Sequence, residues 1–347
     1  MAIDMFTTRT MLSIVQKAEF KPTTYLRDRF FKNVRTFSTE VVDIDIVDNM
    51  GRKIAPFVNP KIGGMAVARD GYRTNTYKVP EVSPMRVTDA EDMLKRMAGE
   101  SIYGSKSPTE RAAEQLGRDL RYLDEIITRR EEVMCAEALF SGKVTVKGEG
   151  YDEEVVYWQG GDEPFTALED KWSDVEVEKI MADLRMFRRK MIQKGGVAPT
   201  DMIVGNGVIE VLLDKLSKAQ QLDMRRVDLG HVDPQHLPNG VSYWGYLKDS
   251  AIDIYTYDSW YEDPSDGEEK PFVPDNKVLL ASPNVATTMA YGCVALAGDD
   301  EVAFYAEPRV PDSWVQRANP SGRVVQIKSR PLPIVHQPHG FHVIDAI

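Results

Sequence analysis

Three groups of residues carry the right atoms for chemistry. His336, His339 and His342 fall within seven residues near the C-terminus, and three imidazoles are a zinc-ligand set. Pro338 and Gly340 interrupt them, so no helix fixes their faces, and the spacing favours a surface tail over a metal site. Asp263, Asp266 and Glu268 offer carboxylate oxygens suited to calcium. Their spacing is not that of an EF-hand, and an exposed charged loop over 258–274 accounts for them. Cys135 and Cys293 lie far apart and match no metal or redox spacing, which fits two small buried thiols in a reducing compartment. The phosphate-binding, dinucleotide-binding, nucleophile-elbow and zinc-protease motifs are all absent. The sequence therefore assigns no catalytic residue, no cofactor and no metal ligand.

The elements that would have to position such groups form an α+β pattern. Ser107-Pro108-Thr109-Glu110 is a helix start, with a capping serine, a proline in the first turn and a glutamate three residues after the cap. Ala113, Leu116, Leu120, Leu123, Ile127, Met134 and Ala138 follow at spacings of three or four with one skipped turn. Ser141-Gly142 ends the run, which predicts one helix over 107–140, about 50 Å long. Arg118, Arg121, Glu125, Arg129 and Glu132 are expected on its solvated face. A second helix is predicted at 173–194, with Ser173 and Glu176 as a capping box and Gly195-Gly196 as the stop. Val208–Leu216 reads as a short helix. Met202–Val204, Tyr243–Leu247, Ala251–Tyr257 and Lys277–Ala281 read as strands, as do runs within 143–158 around Gly148-Glu149-Gly150. Repeated prolines from Pro308 onward read as a tail with short extended runs.

The first third of the chain is unlike a compact domain. Residues 1–35 carry seven basic residues against three acidic ones and read as an arm, in a protein whose net charge is −11 (43 − 54). Such an arm seeks an acidic neighbour or is solvated, and its deletion is expected to leave a folded subunit that assembles poorly. The Leu26–Phe31 cluster is expected to dock it on a surface. VVDIDIV at 41–47 alternates with period two, as a half-buried strand does. A turn at 48–51, an extended run over 54–58 and a turn-rich stretch over 59–88, with Asp70-Gly71 as a hairpin signal, come next. That stretch has too few large apolar residues for a core of its own and makes sense lying on another subunit. The acidic balance argues against general nucleic-acid binding. No run approaches the roughly 18 apolar residues of a membrane span, and the first residues do not have the pattern of a secretion signal.

Several short motifs in order resemble the lambda-type major capsid proteins of tailed phages, the capsid protein E family. They are Leu26-Arg27-Asp28-Arg29-Phe30-Phe31, Val58-Asn59-Pro60 with Gly63-Gly64, Asp223-Met224-Arg225-Arg226, and Pro274-Asp275-Asn276 followed by Val278-Leu279. Tyr291-Gly292-Cys293, Pro311-Asp312-Ser313-Trp314-Val315 and Ser329-Arg330-Pro331-Leu332 complete the series, so the resemblance spans about residues 5–345. It implies the Hong Kong 97 phage-type, or Johnson, fold. In that frame residues 1–40 become the N-terminal arm and 50–88 the extended loop. The peripheral domain takes 41–49 and 89–197, with helix 107–140 as its spine; 198–285 become the axial domain, and 286–347 return to the periphery. The implied function is a structural head protein that self-assembles into hexamers and pentamers of an icosahedral shell around phage or prophage DNA, located in the virion and assembled in the host cytoplasm. Implied partners are other copies of the chain, a scaffold protein, a portal and a decoration protein, with DNA only in non-specific proximity and no membrane. A related branch cross-links its shell through lysine and asparagine, but no motif assigns such a pair here, and Lys61 and Lys78 are ordinary loop lysines. The alternatives are a metal-dependent hydrolase using the three histidines, or another phage structural protein such as a tail-tube subunit.

Overall fold

The structure is a computed structural model. It describes residues 7–17, 24–39, 41–47, 54–55, 57, 72–89, 107–148, 151–158, 163–218, 222–223, 227–228, 231–232, 235–237, 239–297, 302–317 and 321–347. The long helix runs Pro108–Phe140, with Ser107 and Glu110 forming the expected capping box. It stops where the sequence predicts: Gly142 adopts φ +64°, and a Cβ there would strike the Trp158 ring. Along its first half, Leu116, Leu120, Leu123 and Ile127 form one buried stripe against Met11 of helix Thr8–Lys17 and against Val325 and Ile327. Beyond Ile127 the helix sinks into the body. Residues 131–136 and 138–140 are all buried, including Glu131 and Glu132. Glu132 is therefore not on a solvated face.

The body is built on an eight-stranded mixed sheet. Its strands run in the order 235–237, 241–247, 252–257, 201–204, 277–281, 342–345 and 165–167, with 222–223 also paired to 241–247. Period-two alternation divides two cores across it. Met202, Val204, Val278, Leu280 and Ile344 face helices Val177–Gly195 and Asn206–Lys218. Ile203, Leu279 and Val343 face the end of the long helix and the segment around Phe30. The short helix and the four strands expected between 202 and 281 are present within a few residues of their predicted ends.

Three expectations need correction. The second helix begins at Val177, and Ser173 does not cap it. Residues 168–172 are held against the C-terminal strand by Leu168 and Trp172 N–H bonds to the Asp345 and Ala346 carbonyls. The Lys215 ammonium then donates to the carbonyls of Trp172, Ser173 and Val175, at 2.7, 2.8 and 2.6 Å, so this turn is fixed by tertiary contacts before the helix starts. The C-terminal region is core rather than tail. Pro331–Val335 and His342–Asp345 are buried strands, the latter inside the main sheet. Pro331 and Pro333 misled the reading, but their strand lies at the edge of a three-stranded sheet, where a missing N–H is tolerated. The stretch 59–88 is also not wholly without a core. Val79 is buried in the main cluster, and Met85–Asp89 pairs with Gly322–Lys328. Strand Tyr72–Lys78 pairs with Val41–Val47 in full register. The hairpin signal at Asp70-Gly71 lies outside the described residues, as do the turn at 48–51, residues 58–71 and most of Asp223–Arg226. Among the described residues, no helix is long and apolar enough to cross a membrane.

Candidate functional site

Among the described residues, buried charge gathers where the N-terminal segment meets the long helix. Glu131 and Glu132 are consecutive residues with no exposed surface. Glu132 accepts three backbone N–H bonds, from Tyr25 at 2.9 Å, Leu26 at 2.8 Å and Arg27 at 3.0 Å. These are among the first N–H groups of the short helix Leu26–Phe30, which have no partner inside the helix, so a carboxylate of the long helix serves as its cap. Burial pushes the Glu132 carboxyl up to about 7, against the three N–H bonds that favour its charged form. Glu131 receives Arg309 Nη1 at 2.6 Å and lies 3.0 Å from Arg27 Nη1, the latter an ion contact without hydrogen-bond geometry. Arg309 also donates to Asp124 at 2.7 Å, Thr128 at 3.2 Å and Ser329 at 3.3 Å. Burial alone would lower its pKa, but Glu131 holds it above the ordinary guanidinium value.

This clasp makes residues 24–36 part of the subunit. Leu26, Phe30 and Phe31 are buried in the main core, and Phe30 meets Phe341 edge to face at 5.9 Å. Thr287 donates its hydroxyl to the Phe30 carbonyl, and Val34–Thr36 runs parallel to Thr287–Tyr291. Arg29 donates to buried Asp201 at 2.7 Å. Docking of the Leu26–Phe31 cluster on a surface is thus corrected to burial in the interior. Arg27 and Arg29 spend their charge inside the chain rather than on a neighbour. Deleting 1–35 would take Arg27 from Glu131 and all three N–H donors from Glu132, so a folded truncated subunit is no longer expected.

The sequence carried one unread signal for the clasp. The turn skipped in the apolar stripe, between Ile127 and Met134, is occupied by Glu131. A carboxylate standing in a core-facing position needs a buried partner. Arg309, 178 residues away, has no local pattern that marks it as that partner.

The residues singled out for chemistry are placed apart. His342 is buried, stacks on Phe187 at 4.7 Å, and pairs through Nε2 with Thr166 Oγ1 at 3.1 Å. Burial and the nearby cations Lys190, His339 and Lys194 push it down to about 3. His336 Nε2 pairs instead with Thr288 Oγ1 at 3.0 Å, and His339 sits in the 3-10 turn Pro338–Gly340. No cluster of three metal-binding side chains occurs among the described residues, so the hydrolase reading has no support. The acidic segment is a hairpin, Trp260–Glu262 with Glu269–Pro271. Its cation is its own: Lys270 Nζ lies 2.7 Å from Asp263 and 2.6 Å from Asp266. That hydrogen bond holds Asp263 well below the usual carboxylate range. Cys135 is buried, as expected, but Cys293 is half-buried. The Pro274-Asp275-Asn276 motif is a packing turn: Asn276 donates to Asp345 at 3.2 Å, and a Cβ at Gly205 would collide with the Pro274 and Asp275 carbonyls.

Among the exposed apolar side chains of the described residues, two pairs stand out. Ile54 and Phe57 are 90% and 105% exposed, and Val302 and Phe304 are 58% and 72% exposed on one face of the hairpin Val294–Ala297 with Val302–Tyr305. A cleft of about 560 Å³ lies between the long helix and the Lys270 hairpin, lined by aromatic, apolar and arginine side chains.

Comparison with known proteins agrees with this architecture. The major capsid protein of Escherichia phage lambda is 25% identical over 367 aligned positions that cover 98% of each chain. The major capsid protein of Enterobacteria phage P21 is 25% identical, covering 98% of this chain and 99% of its own. A crystal structure from E. coli CFT073, described as a prophage capsid protein, superposes with a TM-score of 0.72 at 22% identity, covering 98% of this chain and 99% of its own. The fold is of the Hong Kong 97 phage type. The family model described as phage major capsid protein E matches residues 7–342, and the chain belongs to that family of structural head proteins.

Proposed function

We propose that the chain is the repeating wall subunit of an icosahedral head, assembling through hexamers and pentamers around phage or prophage DNA. The observation that carries this is the split between a closed interior and the bare Ile54 and Phe57. A chain that buries Leu26, Phe30 and Phe31, yet leaves Ile54 and Phe57 almost wholly in solvent, is built to have them covered by another copy. In this reading residues 1–40 are the arm, now fixed to the body at 24–36, and 50–88 form the extended loop that carries Ile54 and Phe57 over a neighbour. Helix Pro108–Phe140 is the spine, 41–49, 89–197 and 286–347 form the peripheral domain, and 198–285 form the axial domain at the capsomer centre. Scaffold, portal and decoration proteins are the further partners, and assembly takes place in the host cytoplasm before the shell becomes the virion capsid. The chemistry-bearing residues serve the fold: His342 as a packed neutral imidazole, and Lys270 as a staple. Electron microscopy of the purified full-length chain tests the proposal. Closed shells or rings of five and six are expected, and particles without either symmetry would overturn it.

A further inference from the structure

The cleft beside the long helix has a floor, a rim and a charge that identify its occupant. Tyr122, Ile126, Arg129 and Arg130 come from one face of the helix, and Trp260 and Glu262 from the Lys270 hairpin. Trp260 and Tyr122 are about half exposed, so this aromatic surface is left uncovered among the described residues. Arg86, ion-paired with buried Asp119 at 3.0 Å, lies 3.8 Å over the Tyr122 ring and braces it without adding unpaired charge. Two arginines against one glutamate make the lining net positive. A matching occupant is a convex apolar surface with acidic surroundings.

Among the described residues, the hairpin Val294–Ala297 with Val302–Tyr305 carries such a surface. Val302 and Phe304 project from the same face of a two-stranded hairpin, where the register places Phe304 opposite Ala295 and Val302 opposite Ala297. The other face of that hairpin is held down by buried Val294 and Leu296. The sequence around the strand is acidic, with Asp299-Asp300-Glu301 before it and exposed Glu307 after it. The pair Ile54 and Phe57 is flanked by Arg52, Lys53 and Lys61, which the cleft arginines would repel.

We infer that the Tyr122–Trp260 cleft of one subunit receives the Phe304 hairpin of a second copy of this chain. The inference rests on the shell-subunit reading and names one of its contacts. A knob on one surface meeting a hole on another is a heterologous contact, which closes into a ring when the rotation between copies allows it. Phe304 brings the aromatic area that dominates such interfaces, about 150–250 Å² for one ring. The acidic flanks against Arg129 and Arg130 set orientation and discourage the basic loop from entering.

The test uses the full-length chain in a Cys293→Ser background, since Cys135 is buried and out of reach. Chains carrying Phe304→Cys and Trp260→Cys are co-assembled, oxidised and run without reductant. A covalent dimer is expected from the mixture, and a ladder of larger covalent species from the double variant. Particles that form without this cross-link overturn the inference and leave the shell reading standing. A cross-link from Phe57→Cys to Trp260→Cys in its place also overturns it, by giving the cleft to the loop. If the unaltered chain forms no particles under any condition, the shell reading fails and this contact with it. A second variant guards against cysteine artefacts: Arg129→Glu with Arg130→Glu is expected to keep the urea midpoint and cut particle yield about tenfold or more. Unchanged yield contradicts the inference.

Discussion

The segment around Phe30 and the segment around Phe57 lie within thirty residues of each other and treat their apolar side chains in opposite ways. The first buries Leu26, Phe30 and Phe31, caps its short helix on Glu132 and pairs Arg27 and Arg29 with buried carboxylates. The second leaves Ile54 and Phe57 bare. The difference separates two tasks that one arm-and-loop region would otherwise seem to share. Residues 24–36 complete the fold of the subunit, and Ile54 and Phe57, in the function proposed above, are left for assembly. Basic charge does not distinguish them, because both segments carry it; what does is whether buried partners wait in the same chain.

The strongest way to break this comparison is to remove the first segment. A chain lacking residues 1–31 leaves Glu131 and Glu132 without Arg27 and three N–H donors, and it is expected to show no cooperative urea transition. A normal transition would return the segment to the status of a detachable arm. Arg309→Ala isolates the charge: breaking a buried pair from one side costs about 3–5 kcal/mol, read as a fall in urea midpoint at unchanged slope. Leu120→Gly probes the other half of the long helix, where loss of a buried leucine costs about 2–5 kcal/mol and glycine about 1 more.

Titration sharpens the picture further. The Glu132 carboxyl sits at about 7 in the fold against an ordinary 4.5, so the folded chain holds more protons between those values. Its contribution is complete below 4.5 and is lost as pH rises through 7. His342 is the reverse: lowered from 6.5 to about 3, it contributes fully above 6.5 and loses its share as pH falls towards 3. Between 4.5 and 6.5 the two slopes oppose. Glu132→Gln is expected to remove the loss of stability on the alkaline side, and His342→Leu the loss on the acid side, in urea midpoints measured from pH 4 to 8. The smallest stability effects belong to the exposed positions. Ser107→Ala takes away the cap of the long helix for about 1 kcal/mol. Phe57→Ser should stay within about 0.5 kcal/mol of the parent.

How far the sequence reached follows the range of the interactions. The long helix was legible to its last residue because its start and stop are local: Ser107 and Glu110 at one end, Gly142 at the other. Strands 201–204 and 277–281 were legible as short apolar runs, with apolar side chains on both faces because each strand has a core on either side. The clasp was not, because Glu131 meets Arg309 across 178 residues and only the structure brings them together. The C-terminal strands were misread because Pro331 and Pro333 look like tail residues until an edge position in a sheet accounts for them. The histidine trio dissolved for a related reason: closeness in sequence around Pro338 and Gly340 sends His336 to Thr288 and His342 to Thr166.

The central claim is that closing the fold and building the shell use different residues of one chain. Sedimentation velocity of the full-length protein beside its Ile54→Ser/Phe57→Ser variant tests it directly. The parent is expected to sediment as large particles, and the variant as folded small species with an unchanged urea midpoint. A variant that still builds particles, or a parent that remains monomeric at every concentration, would contradict the account.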